Sequence, residues 1–323
     1  IKVLKIDGLQ MNNTHAGGGA GRALWVQSAV HFGHYNFTNN IMKKTVSQQG
    51  YGIEMSGDTF SAFIYNNIIY DFAGGMRLNS SNVFDKGARF YILNNTIDNT
   101  IGNSIKIHAY GTDNYVTIKN NITQNGIAEY DLDSDVENPD YSNNISSDGT
   151  ALGTSSQINR TMNFIDQARD DYRLGIGETY ATNNGVDLSA DPTYAFSTDI
   201  IGVARAQWDI GAFAYQDLTV GPVAFDELGS GTAGSPYQIF NKAQLKSIGT
   251  DTVNGCNSSS NTSCGSTFAI YADIDLENEA FTPIGDNSNT FTGAFDGGGH
   301  SITNLFVNNP TLDYQALFRF TSG

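Results

Sequence analysis

The stretch FIYNNIIYDFAGGMRL, residues 63–78, decides the fold. An apolar run reaches the pair Asn66-Asn67, continues as a second run, and turns through Gly74-Gly75 into a third. FYILNNTIDNTIGNSIKI (residues 90–107) and VTIKNNITQNGIAEYDL (residues 116–132) repeat that plan. Asn12-Asn13, Asn39-Asn40, Asn66-Asn67, Asn94-Asn95, Asn120-Asn121 and Asn143-Asn144 follow one another at steps of 27, 27, 28, 26 and 23 residues. A period of that size is the signature of a solenoid.

One such repeat cannot bury its own apolar face. Strands send alternate side chains to opposite sides, so Phe63/Tyr65 and Tyr91/Leu93, or their neighbours, fill a core while the others face outward. Stacked coils bury that face by pairing each backbone with the next at about 4.8 Å. Asn tolerates the left-handed backbone that a corner needs, and a column of Asn amides can bond from coil to coil. The expected ladder is Asn13, Asn40, Asn67, Asn95, Asn121 and Asn144.

On these Asn corners and Gly-rich turns the chain resembles the right-handed parallel β-helix of pectate-lyase-like proteins. The resemblance covers residues 1–216 and implies fold alone, because that group includes polysaccharide lyases, hydrolases, phage tailspikes and adhesins. The expected class is therefore all-β: a right-handed parallel β-helix, then a smaller β-solenoid-like module with one short helix. Residues 1–150 read as coils, 151–216 as a cap and 223–323 as the second module.

Composition narrows the function. Only 15% of residues are charged and Pro numbers 6 in 323, which suits an extended all-β surface protein. A formal charge of -16 argues against nucleic acid, which requires a basic stripe. No apolar run reaches 18 residues, so no membrane-spanning helix is expected. The chain starts at Ile1 in what reads as a coil and stops in mid-pattern, and is taken as a piece of something longer. Cys256 and Cys264, eight positions apart in NGCNSSSNTSCGS, are expected to form a disulfide, which implies export through an oxidising compartment.

The third strand of each repeat carries the candidate site. ALWV, GIEM, GMRL and SIKI, aligned with their apolar residues inward, place Trp25, Glu54, Arg77 and Lys106 in one outward column. Gln27, Ser56, Asn79 and His108 form a second column two residues on. This face would bind a ligand through Trp25, Glu54, Arg77 and Lys106. No catalytic residue is assigned. In the enzymatic alternative, Arg77, Lys106 and His108 neutralise a uronic carboxylate and remove the C5 proton, as in a polysaccharide lyase. The competing reading is a column of solvated charges worth less than about 1 kcal/mol each.

Asp131, Asp133 and Asp135 alternate along EYDLDSDVENPD, where oxygen ligands on one side of an extended segment attract Ca²⁺. No cofactor is required by any motif, and an ordinary acidic loop is the competing reading. HAGGGAG (residues 15–21) lacks the Lys-Ser/Thr and helix of a phosphate loop and reads as a turn.

DYRLGIGETYATNNGVDLSADPTYAFSTDIIGVARAQWDIGAFAYQ, residues 171–216, resembles the end of many secreted bacterial β-helix proteins. Asp171-Tyr172-Arg173-Leu174, Asn184-Gly185, Arg205 and Asp209-Ile210-Gly211-Ala212-Phe213 stand at its characteristic points, with Ala214 replacing the usual acid. Arg205 and Asp209 are expected to be structural. Farther on, Ala272-Asp273-Ile274-Asp275-Leu276 and FTGAFDGGGH (residues 291–300) resemble the GLUG-type repeats of large bacterial surface proteins. His300 there reads as a turn residue, and Asn241 as the cap of a helix over residues 242–248.

The function expected from all this is a non-catalytic extracellular surface or matrix segment, adhesin-like or filament-forming. Its expected partners are a glycan or further copies of itself through the solenoid ends. A polysaccharide lyase or hydrolase is the alternative, and a tailspike-like trimer ranks below both. Sequons such as Asn36-Phe37-Thr38, Asn121-Ile122-Thr123 and Asn261-Thr262-Ser263 arise by chance in so polar a chain.

Overall fold

In the first unit, six turns of chain stack into three parallel sheets. The computed structural model describes residues 2–13, 21–28, 33–45, 49–57, 60–80, 88–109, 113–132, 136–218, 224–225, 228–251, 254–257, 264–309 and 313–322. They divide into two units, Ile1–Gln167 with Asp171–Tyr215, and Ala168–Asp170 with Gln216–Gly323.

Each turn of the first unit is one repeat of the sequence. Rung one is Lys2–Asp7, Gln10–Asn13 and Leu24–Ser28, and rung two is Gly33–Thr38, Ile41–Lys44 and Tyr51–Gly57. Rung three is Phe60–Tyr65, Ile68–Tyr70 and Gly74–Ser80; rung four is Arg89–Leu93, Thr96–Asp98 and Ile105–Ala109. Rung five is Tyr115–Lys119, Ile122–Gln124 and Tyr130–Leu132; rung six is Asn138–Ser142 and Ile145–Ser146. The first strands of the rungs pair in order into one sheet, the second strands into another and the third into the last, all in parallel. The fold is the all-β solenoid that the period implies.

The alternation resolves which residues fill the core. Ala62 and Ile64 in rung three, and Phe90 and Ile92 in rung four, point inward and are fully buried. Their neighbours Phe63, Tyr65 and Tyr91 lie on the outer face. Met55, Met76, Leu78, Ile105 and Ile107 complete the interior from the third sheet. Each such side chain contributes about 1.5–3 kcal/mol by leaving water.

The two members of the Asn pair have different tasks. The first member, at Asn39, Asn66, Asn94, Asn120 and Asn143, takes φ between 49° and 58° and makes the left-handed corner. The second member is buried and forms the ladder. Asn40 Nδ2 donates to Asn67 Oδ1 at 2.9 Å, Asn67 to Asn95 at 2.9 Å, Asn95 to Asn121 at 3.0 Å and Asn121 to Asn144 at 3.0 Å. Each acceptor oxygen also takes the backbone N–H of the preceding Asn, at 3.0 Å in every step. The ladder ends where Asn144 N–H donates to Ser156 Oγ. The side chain of Asn13, its expected first member, lies outside the described residues. A second left-handed column, Asp71, Asn99 and Asn125, turns the chain between the second and third sheets.

The segment expected as a cap does more than end the stack. Thr154 and Gln157 bridge to Ser142 and Ile145, which continues two of the sheets past rung six. The chain then runs along the outside of the second sheet, whose outward residues Ile68, Tyr70, Ile122 and Ile145 are apolar. Met162, Phe164, Tyr172, Leu174, Ile210, Ala212 and Phe213 cover them. Gly211, at φ 100°, lies so close to Ile122 and Thr96 that a Cβ would meet them at 2.6 and 3.0 Å.

The second unit begins another parallel stack. Tyr237–Ile239, Thr267–Ile270 and Ala294–Asp296 pair in that order, and Ile274–Asp275 pairs with Ile302–Thr303. The helix Lys242–Thr250 starts at Asn241, whose Oδ1 accepts Gln244 N–H at 2.9 Å, and runs two residues past the expected end. Leu245 and Ile248 on its inner face pack with Phe268, Ile270, Ile274 and Phe291. The expected disulfide joins Cys256 to Cys264, both inside this core. His300 lies at a turn, its N–H donated to Gly297 O at 2.8 Å and Nδ1 3.7 Å from Asp273.

Candidate functional site

The outer face of the third sheet brings the candidate residues into one column. The pairing places Trp25 beside Glu54, Glu54 beside Arg77, Arg77 beside Lys106 and Lys106 beside Asp131. Gln27, Ser56, Asn79 and His108 align in the second column. The register follows from Ile53, Met55, Met76, Leu78, Ile105 and Ile107: once these turn inward, the residues between them must turn outward.

Within the column, charges of opposite sign face each other. The Glu54 side chain is only 8% exposed and accepts from Arg22 Nε, while Arg77 approaches its other oxygen at 3.4 Å. Lys106 pairs with Asp131 on the next rung. Aromatic rings support both guanidinium groups, Arg22 at 4.7 Å from the Trp25 ring centre and Arg77 at 5.7 Å from that of Tyr51. Trp25 itself remains 56% exposed. The two cations offered as lyase groups, Arg77 and Lys106, therefore each hold a carboxylate, and His108 lies in the neighbouring column, half-buried.

Sequence reading did not find Arg22 or Tyr51. Arg22 stands two residues before the strand Leu24–Ser28 and Tyr51 opens the strand Tyr51–Gly57, both outside the alternating column, and only the tertiary structure sets Arg22 against Glu54. Of the calcium candidates, Asp131 is engaged with Lys106, and Asp133 and Asp135 lie outside the described residues. Among the described residues no cluster of three or more His, Cys, Asp or Glu side chains is placed to hold a metal ion.

A second polar centre sits under the 181–214 segment and is fully internal. The Arg205 side chain is buried and donates to Asn66 Oδ1 at 3.1 Å and to Gly211 O and Ala212 O at 3.0 Å each. Burial pushes its guanidinium down to about 10, opposed by the Asp199 and Asp209 carboxylates, so it remains a cation at neutral pH. Asp209 accepts the N–H groups of Asn183 and Tyr215 at 2.7 Å each; Asp199 accepts those of Ile201, Val203 and Ala214. These are the bonds of residues that hold loops in place. In the same segment Asp171 and Arg173 pair with each other on one side of their strand, while Tyr172 OH donates to Asp98 Oδ2 at 2.9 Å from the other.

Fold and face together define a parallel β-solenoid bearing a self-paired polar column. No protein-family profile matches the chain, and no solved structure matches it. Residues of this chain are 32% identical over 144 positions to Halomucin of Haloquadratum walsbyi, covering 39% of this chain and 2% of that protein. They are also 32% identical over 96 positions to a protein of Evansella cellulosilytica whose name contains the words Gly-rich membrane protein, covering 28% of this chain and 10% of the other. The chain thus matches only a small fraction of the length of either relative. No helix among the described residues is long and apolar enough to cross a membrane.

Proposed function

We propose that the chain is a non-catalytic structural segment of an extracellular or cell-surface protein, whose third-sheet face contacts glycan. The observation that carries this reading is the pairing of Glu54 with Arg22 and Arg77, and of Lys106 with Asp131. A general base must hold its lone pair ready for the substrate proton, and a cation already serving a carboxylate is poorly placed for that role. Trp25, exposed beside Arg22, supplies an apolar ring and one indole N–H donor, which suit a sugar. The disulfide supports an oxidising compartment, and the words in the second relative's name support an envelope context.

The test is incubation of the full chain with uronate-containing and neutral polysaccharides, following both unsaturated-product absorbance and retention on immobilised glycan. The expected result is retention without cleavage, with retention reduced at least fivefold by Trp25→Ala. Release of unsaturated product that disappears in Lys106→Ala would establish the lyase instead. Absence of both retention and cleavage would remove the glycan part of the reading.

A further inference from the structure

The returning segment, residues 181–214, meets the solenoid along one line, the outward amides of the first Asn of each pair. Asn143 Nδ2 donates to Asn184 O at 2.8 Å in rung six, and Asn120 Nδ2 to Val186 O at 2.9 Å in rung five. Asn94 Nδ2 donates to Asp209 O and Gly211 O at 2.9 and 3.0 Å in rung four; Asn66 Nδ2 donates to Thr198 O at 2.8 Å in rung three. The bonds also run in reverse: Val186 N–H donates to Asn120 Oδ1, Arg205 to Asn66 Oδ1, and Ala212 N–H to Thr96 Oγ1. Beside this rail, Phe196 stacks on Tyr65 at 4.6 Å and Tyr194 lies 5.2 Å from Tyr91, from two successive rungs. Rung two is joined differently. Asn39 Nδ2 donates to Asp7 Oδ1 and its Oδ1 accepts from Asn66 Nδ2 at 3.2 Å, both within the solenoid, and among the described residues of rung two Ile41 packs against the covering apolar patch.

We propose that this segment is a lateral clamp: it locks rungs three to six into one cooperative unit and leaves rungs one and two to open separately. A bare solenoid opens rung by rung, because each turn contacts only its neighbours. A strap bonded to four successive rungs converts that sequence into a single step, since no clamped rung can leave without releasing bonds to the others. In a protein under tension between its ends, opening would stop at the boundary between rungs two and three.

Hydrogen exchange of the full chain in low denaturant, read by peptide mass, tests this. Peptides from residues 60–146 and 181–214 are expected to open together, at least tenfold more slowly than those from residues 33–57. The discriminating variant is Asn94→Gly, which keeps the left-handed corner while deleting the docking amide. Asn39→Gly makes the same backbone change where no residue of the strap docks; it removes one acceptor of the Asn66 amide, whose bond to Thr198 O stays, and carries the general cost of glycine. Asn94→Gly should speed exchange at least tenfold across residues 60–146 and 181–214 together, and Asn39→Gly should speed it chiefly in rungs one and two, by less than threefold in residues 88–146 and 181–214. Equal, local effects of the two substitutions, or exchange of residues 181–214 well ahead of the rungs they cover, would overturn the clamp.

Discussion

The Asn pair does at residue scale what neither member could do alone. Replacing a first member by a residue with a branched Cβ puts that Cβ into a left-handed backbone, whereas replacing a second member removes a buried hydrogen-bonding group. Asn95→Ala leaves the Asn67 N–H without its acceptor, takes one of three acceptors from the Asn67 amide, which keeps Phe37 O and Tyr65 O, and removes the bonds Asn95 Nδ2 makes to Ile64 O, Leu93 O and Asn121 Oδ1. At about 1–3 kcal/mol for the orphaned N–H and about 1 kcal/mol for each of the further hydrogen bonds lost, we expect a loss of about 2–5 kcal/mol in denaturant unfolding. Asn94→Gly should cost the fold less than Asn95→Ala, because its backbone conformation suits glycine. Asn121 carries a sequon, yet both its amide atoms are bonded inside the ladder and it is fully buried. Expression in a glycosylating host should add no sugar there, as a mass measurement of that peptide will show. The ladder positions were legible in sequence because they are periodic. The division of labour within each pair was not, since both members are the same residue and only the corner geometry distinguishes them.

At the scale of elements, the third sheet and the helix of the second unit respond differently to charge. Removing Lys106 leaves Asp131 39% exposed to water, so Lys106→Ala should change stability by less than about 1 kcal/mol. Arg77→Ala leaves a buried Glu54 with Arg22 as its remaining cation, and should cost more, about 1–3 kcal/mol by thermal or denaturant unfolding. Around the helix, Lys242 and Lys246 hold Glu279 down to about 2, and hydrogen bonds to Ser301 and Glu277 N–H groups lower Asp273 and Asp275. A carboxylate lowered on folding stabilises above its unfolded value and loses that contribution as pH falls through its folded one. The second unit should therefore be insensitive to pH above about 4.5 and lose stability progressively towards pH 2, more shallowly in Glu279→Gln and at high salt. A melting series across that range checks the sign. The column on the third sheet could be aligned from sequence because apolar alternation fixes register. The partners of its charges could not, since Arg22 precedes its strand and so lies outside the alternation that fixes register.

For the whole molecule, the disulfide and the clamp belong to separate units. Reduction of Cys256–Cys264 should lower the unfolding transition of the second unit by about 2–3 kcal/mol and leave that of the first unchanged, which calorimetry with and without reductant resolves. What the sequence alone determined was the solenoid: a repeat near 27 residues, alternating strands and Asn corners impose parallel stacking, since no repeat can otherwise bury its apolar face. It also determined the column Trp25, Glu54, Arg77 and Lys106, because inward apolar residues leave the intervening positions no other direction. Only the tertiary structure decided where residues 151–216 go. Asn66 and Arg205 meet across 139 positions, Asn94 and Gly211 across 117, and such contacts leave no period to read. The outward isoleucines of the second sheet required a cover, but the identity of that cover was fixed only when the chain turned back and placed its own apolar residues upon them.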